Sequence, residues 1–78
     1  MKNTIPMQSV ESSQIAEVGH QGTTLAVRFN TGALYYYANV SEELFSDLLE
    51  ARPIGAMFNL AIKSKPSEHP FTKINEQE

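Results

Sequence analysis

The sequence predicts an α+β domain: a three-stranded antiparallel β-meander with two short amphipathic helices packed on one face. Three observations carry this. Residues 23–29 alternate, with Leu25, Val27 and Phe29 on one side and Thr24, Ala26 and Arg28 on the other, as a half-buried strand does. Asn30, Thr31 and Gly32 then supply hairpin-loop chemistry before a second extended run, residues 33–39. Beyond residue 40 the apolar spacing lengthens to that of a helix, first at Leu44, Phe45, Leu48 and Leu49, then at Ile54, Met57, Phe58, Ala61 and Ile62.

Seventy-eight residues make room for one small domain, because a chain this short hides only about 60% of the surface its unfolded form exposes. A two-domain enzyme is excluded. With 41% hydrophobic and 19% charged residues the composition is globular and not disordered. There is no cysteine, so apolar packing or a partner subunit must supply what a disulfide would. The amino-terminal stretch lacks the apolar core of a signal peptide, and no run of about eighteen apolar residues offers a membrane span. The expectation is a cytoplasmic protein that does not engage membranes.

Residues 1–12 mix Pro6 with Asn, Thr and Ser and show no periodicity, so they read as an irregular arm, with one domain over 13–74 and a mobile tail over 75–78. Two extended runs between Ser13 and Phe29 are separated by His20, Gln21 and Gly22, the expected hairpin turn. Ser41 is a helix cap, Glu42 and Glu43 suit the positive end of the dipole, and Val40 is placed to staple onto Phe45. That helix must end by Arg52, because Pro53 disfavours the α conformation before it, and Pro53 opens the second helix. In the tail, Phe71 and Ile74 are the residues that would pack back or add a short edge strand.

The register decides which tyrosine faces water. With a loop at Asn30, Thr31 and Gly32, Leu25 lies opposite Tyr37, Ala26 opposite Tyr36, Val27 opposite Tyr35 and Arg28 opposite Leu34. Tyr35 and Tyr37 then lie under the helices, whereas Tyr36 is exposed beside Arg28 and Leu34. On this reading truncating Tyr35 or Tyr37 to Ala costs about 3–5 kcal/mol, and Tyr36→Ala less than about 1 kcal/mol.

No catalytic residue, metal-ligand set or cofactor motif is read from the chain, so an enzyme is not expected. His20 and His69 lie far apart and read as surface-loop residues. Gly19 and Gly22 match neither phosphate-binding fingerprint, and Ser12 and Ser13 have no base nearby in sequence. Glu42, Glu43 and Asp47 form an acidic, solvated helix face. The net charge of −3 opposes non-specific adhesion to nucleic acid. Lys63, Lys65 and Lys73 nevertheless concentrate near the carboxy terminus, the one segment where phosphate contacts would gather.

The order Gly32, Tyr35-x-Tyr37, Val40, Phe45, Leu48, and then Gly55-x-x-Phe58-Asn59 with Ile62-Lys63 resembles the KTSC domain. That family takes its name from the carboxy terminus of some lysyl-tRNA synthetases and also occurs as small stand-alone bacterial and phage proteins. The likeness covers about residues 12–74, with Pro53 standing where many relatives carry a capping Ser. Through the family's association with a tRNA-charging enzyme the resemblance implies RNA binding. Asn59, poorly suited to a helix interior, is expected to satisfy a nearby backbone group.

Two function classes follow. The first is a small non-catalytic module binding RNA or single-stranded nucleic acid, with Arg28, Lys63, Lys65 and Lys73 on phosphates and Tyr36 stacking. The alternative is a protein-interaction or self-associating adaptor, prophage-encoded, acting through an apolar or acidic surface.

Overall fold

The structure, a computed structural model, describes residues 3–75. The strands are β1 (Gln8–Ser9), β2 (Ile15–Gln21), β3 (Thr24–Phe29), β4 (Leu34–Tyr37) and β5 (Phe71–Ile74), with α1 (Glu42–Glu50), α2 (Ile54–Phe58) and a π-helical turn, Asn59–Lys63, between β4 and β5. The sheet has five strands in the order β1-β2-β3-β4-β5, each pair antiparallel. The α+β class stands, and the three-stranded meander is corrected to five. Both added strands come from segments without usable periodicity. β1 is two residues long and β5 four, too short for alternation to show.

The central register is the expected one: Leu25 pairs with Tyr37, Ala26 with Tyr36, Val27 with Tyr35 and Arg28 with Leu34. The loop that sets it is closed by Gly32 N–H donating to the Phe29 carbonyl at 2.9 Å. Gly32 has φ +96°, a conformation that side chains with a Cβ rarely adopt. The first hairpin differs from expectation. β2 runs on through His20 and Gln21, with Gln21 paired to Thr24, so the turn is Gly22-Thr23. His20 is thus a strand residue.

Ser41 caps α1, its Oγ accepting from Leu44 N–H at 3.0 Å, and Val40 is fully buried. The helix stops at Glu50, one turn's carbonyls being answered by Ala51 N–H and by the Arg52 guanidinium, which donates to Leu49 O at 3.0 Å and to Ala51 O at 2.7 Å. The stripe from Ile54 to Ile62 is helical as expected but not α throughout. Ser64 N–H reaches back five residues to the carbonyl of Asn59 at 2.9 Å, a π-type bond for which local sequence carries no signal.

Both faces of the sheet are covered. On the helix side Leu25, Val27 and Tyr37 pack with Leu48, Ile54, Phe58 and Ile62. On the other side the arm folds across the strands, and Ile5 packs with Ala26, Leu34 and Ile74 while Met7 and Tyr36 flank them. A Cβ at Gly19 would run into the Pro6 carbonyl oxygen, so this glycine lets the arm lie against β2. The arm is therefore part of the domain. Of the tail expected to be mobile, residues 76–78 lie outside the described residues.

Candidate functional site

Alternation on β4 sends Tyr35 and Tyr37 to the helix side of the sheet, and the β5 register sets Phe71 opposite Tyr37 and Lys73 opposite Tyr35. Phe29, at the end of β3, packs edge-on against Tyr35 with ring centres 5.7 Å apart and planes at 79°. Phe71 meets Tyr35 at 5.6 Å and 66°. Phe58 on α2, fully buried, stands against Phe29 at 5.8 Å and Tyr37 at 5.2 Å. Between these rings, the β3–β4 loop and the segment after the π-turn lies a cavity of about 530 Å³. Its walls are Phe29, Tyr35, Tyr37 and Phe71, and Gln14, Asn30, Lys63 and His69 also line it.

Several polar atoms of this lining remain available. Among the described residues neither the Tyr35 nor the Tyr37 hydroxyl has a hydrogen-bond partner. Burial, then the neighbouring Tyr35, pushes the Tyr37 pKa from its ordinary 10.0 up to about 12, so its hydroxyl is a neutral donor and acceptor at physiological pH. Asn30 spends an Nδ2–H on the Ser12 carbonyl at 3.2 Å, leaving Oδ1. His69, buried at 8% exposure, donates from Nδ1–H to the Ala38 carbonyl at 3.0 Å, because a carbonyl only accepts. Lys63 is exposed at the end of the π-turn.

The sequence-derived set divides between the two faces. Lys63 lines the groove, and Lys65 lies between lining residues Lys63 and Pro66. Lys73 sits two residues beyond Phe71 and across from Tyr35. Arg28 and Tyr36 are on the opposite face. The Arg28 Nε–H donates to Glu17 Oε1 at 3.0 Å in an ion pair. Tyr36 is half-buried, its hydroxyl donating to Asn3 Oδ1 at 2.6 Å, and Leu34 is 1% exposed. The exposed patch is thus corrected for Tyr36 and Leu34, which meet the arm at Asn3, Thr4 and Ile5, while Arg28 stays partly exposed in its ion pair. Both histidines are corrected too. His20 donates from Nε2–H to the Val40 carbonyl at 2.6 Å and stacks on Phe45 at 5.0 Å.

Residues 11–65 match the family model of the KTSC domain, more than half of the 78-residue chain. The chain belongs to the KTSC domain family. A protein of Tsukamurella paurometabola is 43% identical over 61 residues, covering 76% of this chain and 91% of the relative. An uncharacterised protein of Stutzerimonas stutzeri is 33% identical over 69 residues, covering 86% of this chain and 94% of the relative. The family match stops short of the sequence-derived boundary at residue 74, so His69 and Phe71 lie beyond it.

Of the residues that carry the family resemblance, Tyr35 and Tyr37 line the groove. Gly32 closes the β3–β4 loop, and Phe58 packs behind the groove against Phe29 and Tyr37 without lining it. Gly55 is buried beside Ser12 and Gln14. Asn59 is half-buried, and its side chain makes no hydrogen bond among the described residues, so the expected backbone partner is absent there. Phe29, Phe71 and His69 were not legible as site residues. The visible signal for Phe71 was a single aromatic in a polar tail, which register alone turns into a wall.

Among the described residues no group of three or more His, Asp or Glu is placed to hold a metal ion. No helix among them is long and apolar enough to cross a membrane.

Proposed function

We propose that this KTSC domain is a non-catalytic cytoplasmic module that binds RNA through the aromatic groove, with Lys63, Lys65 and Lys73 on phosphates. The observation that carries the reading is the groove itself: four aromatic side chains and one lysine line a cavity of about 530 Å³, and Lys65 and Lys73 adjoin its lining. Aromatic rings combined with flanking cations are the recurring means of holding single-stranded nucleic acid, whose unstacked bases offer apolar faces beside a charged backbone. The tyrosines that do this are Tyr35 and Tyr37, and Tyr36 and Arg28 have no part in it. The association of the family name with a tRNA-charging enzyme is the reason RNA is the first ligand to test.

The test is a titration of the full chain with a ten-nucleotide RNA, a structured tRNA and the DNA equivalent of the RNA at two salt concentrations. Binding that weakens steeply with ionic strength is the expected result. No binding at about 100 µM, some 5.5 kcal/mol of affinity, would remove RNA from consideration.

A protein-docking or self-associating module is the second reading, favoured by the exposure of Leu60 at 73% and Phe71 at 58%. Light scattering over a dilution series distinguishes it: concentration-dependent dimers would support it, and a monomer throughout would exclude self-association.

A further inference from the structure

We propose that the groove takes one unpaired nucleotide, its base against the aromatic wall and its phosphate on Lys63, so that the domain reads a chain end or bulge and not a run of stacked bases. This rests on the nucleic-acid reading above and narrows it. A platform for successive bases presents ring faces side by side in one plane. Here Tyr35 and Tyr37 on β4 lie side by side at 6.4 Å and 33°, but Phe29 on β3 stands edge-on to Tyr35 at 79° and Phe71 on β5 at 66°, so the flanking rings close the tyrosine pair off on both sides. The groove's volume, about 530 Å³, lies within the roughly 300–1,000 Å³ of small-ligand sites.

The polar groups agree with a single nucleotide. The hydroxyls of Tyr35 and Tyr37, without partners among the described residues, and Asn30 Oδ1 offer hydrogen bonds to the polar edge of a base. Among the described residues Lys63 is the only lysine or arginine that lines the cavity, which suits one phosphate at the mouth. Lys65 and Lys73 adjoin the groove, but among the described residues no cationic track continues over β3, because Arg28 lies on the other face in its ion pair with Glu17. A long strand therefore gains little beyond the first nucleotide.

The experiment is an NMR titration of the full chain with adenosine monophosphate and with RNAs of three kinds: a blunt duplex, the same duplex carrying one unpaired 3′ nucleotide, and single strands of two and ten nucleotides. The expected result is that the monophosphate shifts the ring signals of Tyr35, Tyr37 and Phe71, and that the single overhang raises affinity at least about 10-fold over the blunt duplex. Lys63→Glu, a change at an exposed position, should weaken both by about 10-fold with the melting temperature unchanged, and Tyr35→Phe should weaken them while preserving the ring. A blunt duplex that binds as well as the overhang would overturn the proposal. So would ten-nucleotide binding far above two-nucleotide binding with no ring shifts from the monophosphate, and in that case RNA binding stands and the single-nucleotide reading falls. Absence of binding by every probe overturns both.

Discussion

Tyr36 and Asn3 are joined by a 2.6 Å hydrogen bond across 33 residues of sequence, the phenol donating to Oδ1. The same hydroxyl accepts from Thr4 N–H at 3.3 Å, and Asn3 Oδ1 also accepts from Ile5 N–H at 2.9 Å. One phenol thus fastens the arm whose Ile5 seals the second core cluster.

Tyr36→Phe, which keeps the ring and removes the fastening, should destabilise by about 1 kcal/mol. Tyr36→Ala also loses the packing against the Ile5 cluster and should cost about 2–3 kcal/mol, above the value expected for an exposed tyrosine. Urea denaturation of Tyr36→Phe, Asn3→Ala and the double variant should return a coupling of about 0.5–1.5 kcal/mol. Strict additivity would mean that the hydrogen bond contributes nothing to stability.

Gly19→Ala tests the arm from the opposite side. Its Cβ would collide with the Pro6 carbonyl, so backbone must shift and the arm must lift from β2. The expected loss is about 1–3 kcal/mol, with faster amide exchange at Ile5 and Ala26. Ile5→Ala should cost about 2–4 kcal/mol by emptying the same contact. Unchanged exchange in Gly19→Ala would show that the arm does not depend on this close approach.

The pH dependence follows from Tyr37, whose pKa rises from 10.0 to about 12 on folding. Below pH 10 both states keep the proton and the stability is complete. Between about pH 10 and 12 the unfolded chain ionises first and binds fewer protons, so stability falls as pH rises, by up to about 2 kcal/mol. Tyr37→Phe should remove much of that loss. Melting temperatures from pH 8 to 12 measure it, and identical profiles for the two proteins would contradict the assignment.

The two groove tyrosines should differ in structural weight. Tyr37 is 4% exposed and packs on Phe58, so Tyr37→Ala should cost about 3–5 kcal/mol, enough to unfold a domain of this size. Tyr35 is half-buried, and Tyr35→Ala should cost closer to 2 kcal/mol while impairing RNA binding more than stability. Thermal melts beside the RNA titration separate the two effects.

The sequence by itself determined the elements whose signals are local. Alternation over residues 23–29 and the Asn30-Thr31-Gly32 loop set the β3–β4 register, and Ser41 set the start of α1, because a two-residue period, a positive φ and a cap each involve only neighbouring residues. Tyr35, Tyr37 and Phe58 were legible as a group, but not the groove that the two tyrosines line. Tertiary structure alone decided the rest. Ile5 is one apolar residue in a polar arm, and nothing within that segment says which sheet face it covers; the answer comes from Gly19, Ala26 and Tyr36, residues distant in sequence. Lys63 and Phe71 belong to one site because β5 closes the sheet at its far edge. The face given to Tyr36 and Arg28 was the right face, yet whether Tyr36 met water depended on residues 3–7, an irregular segment with no period to show.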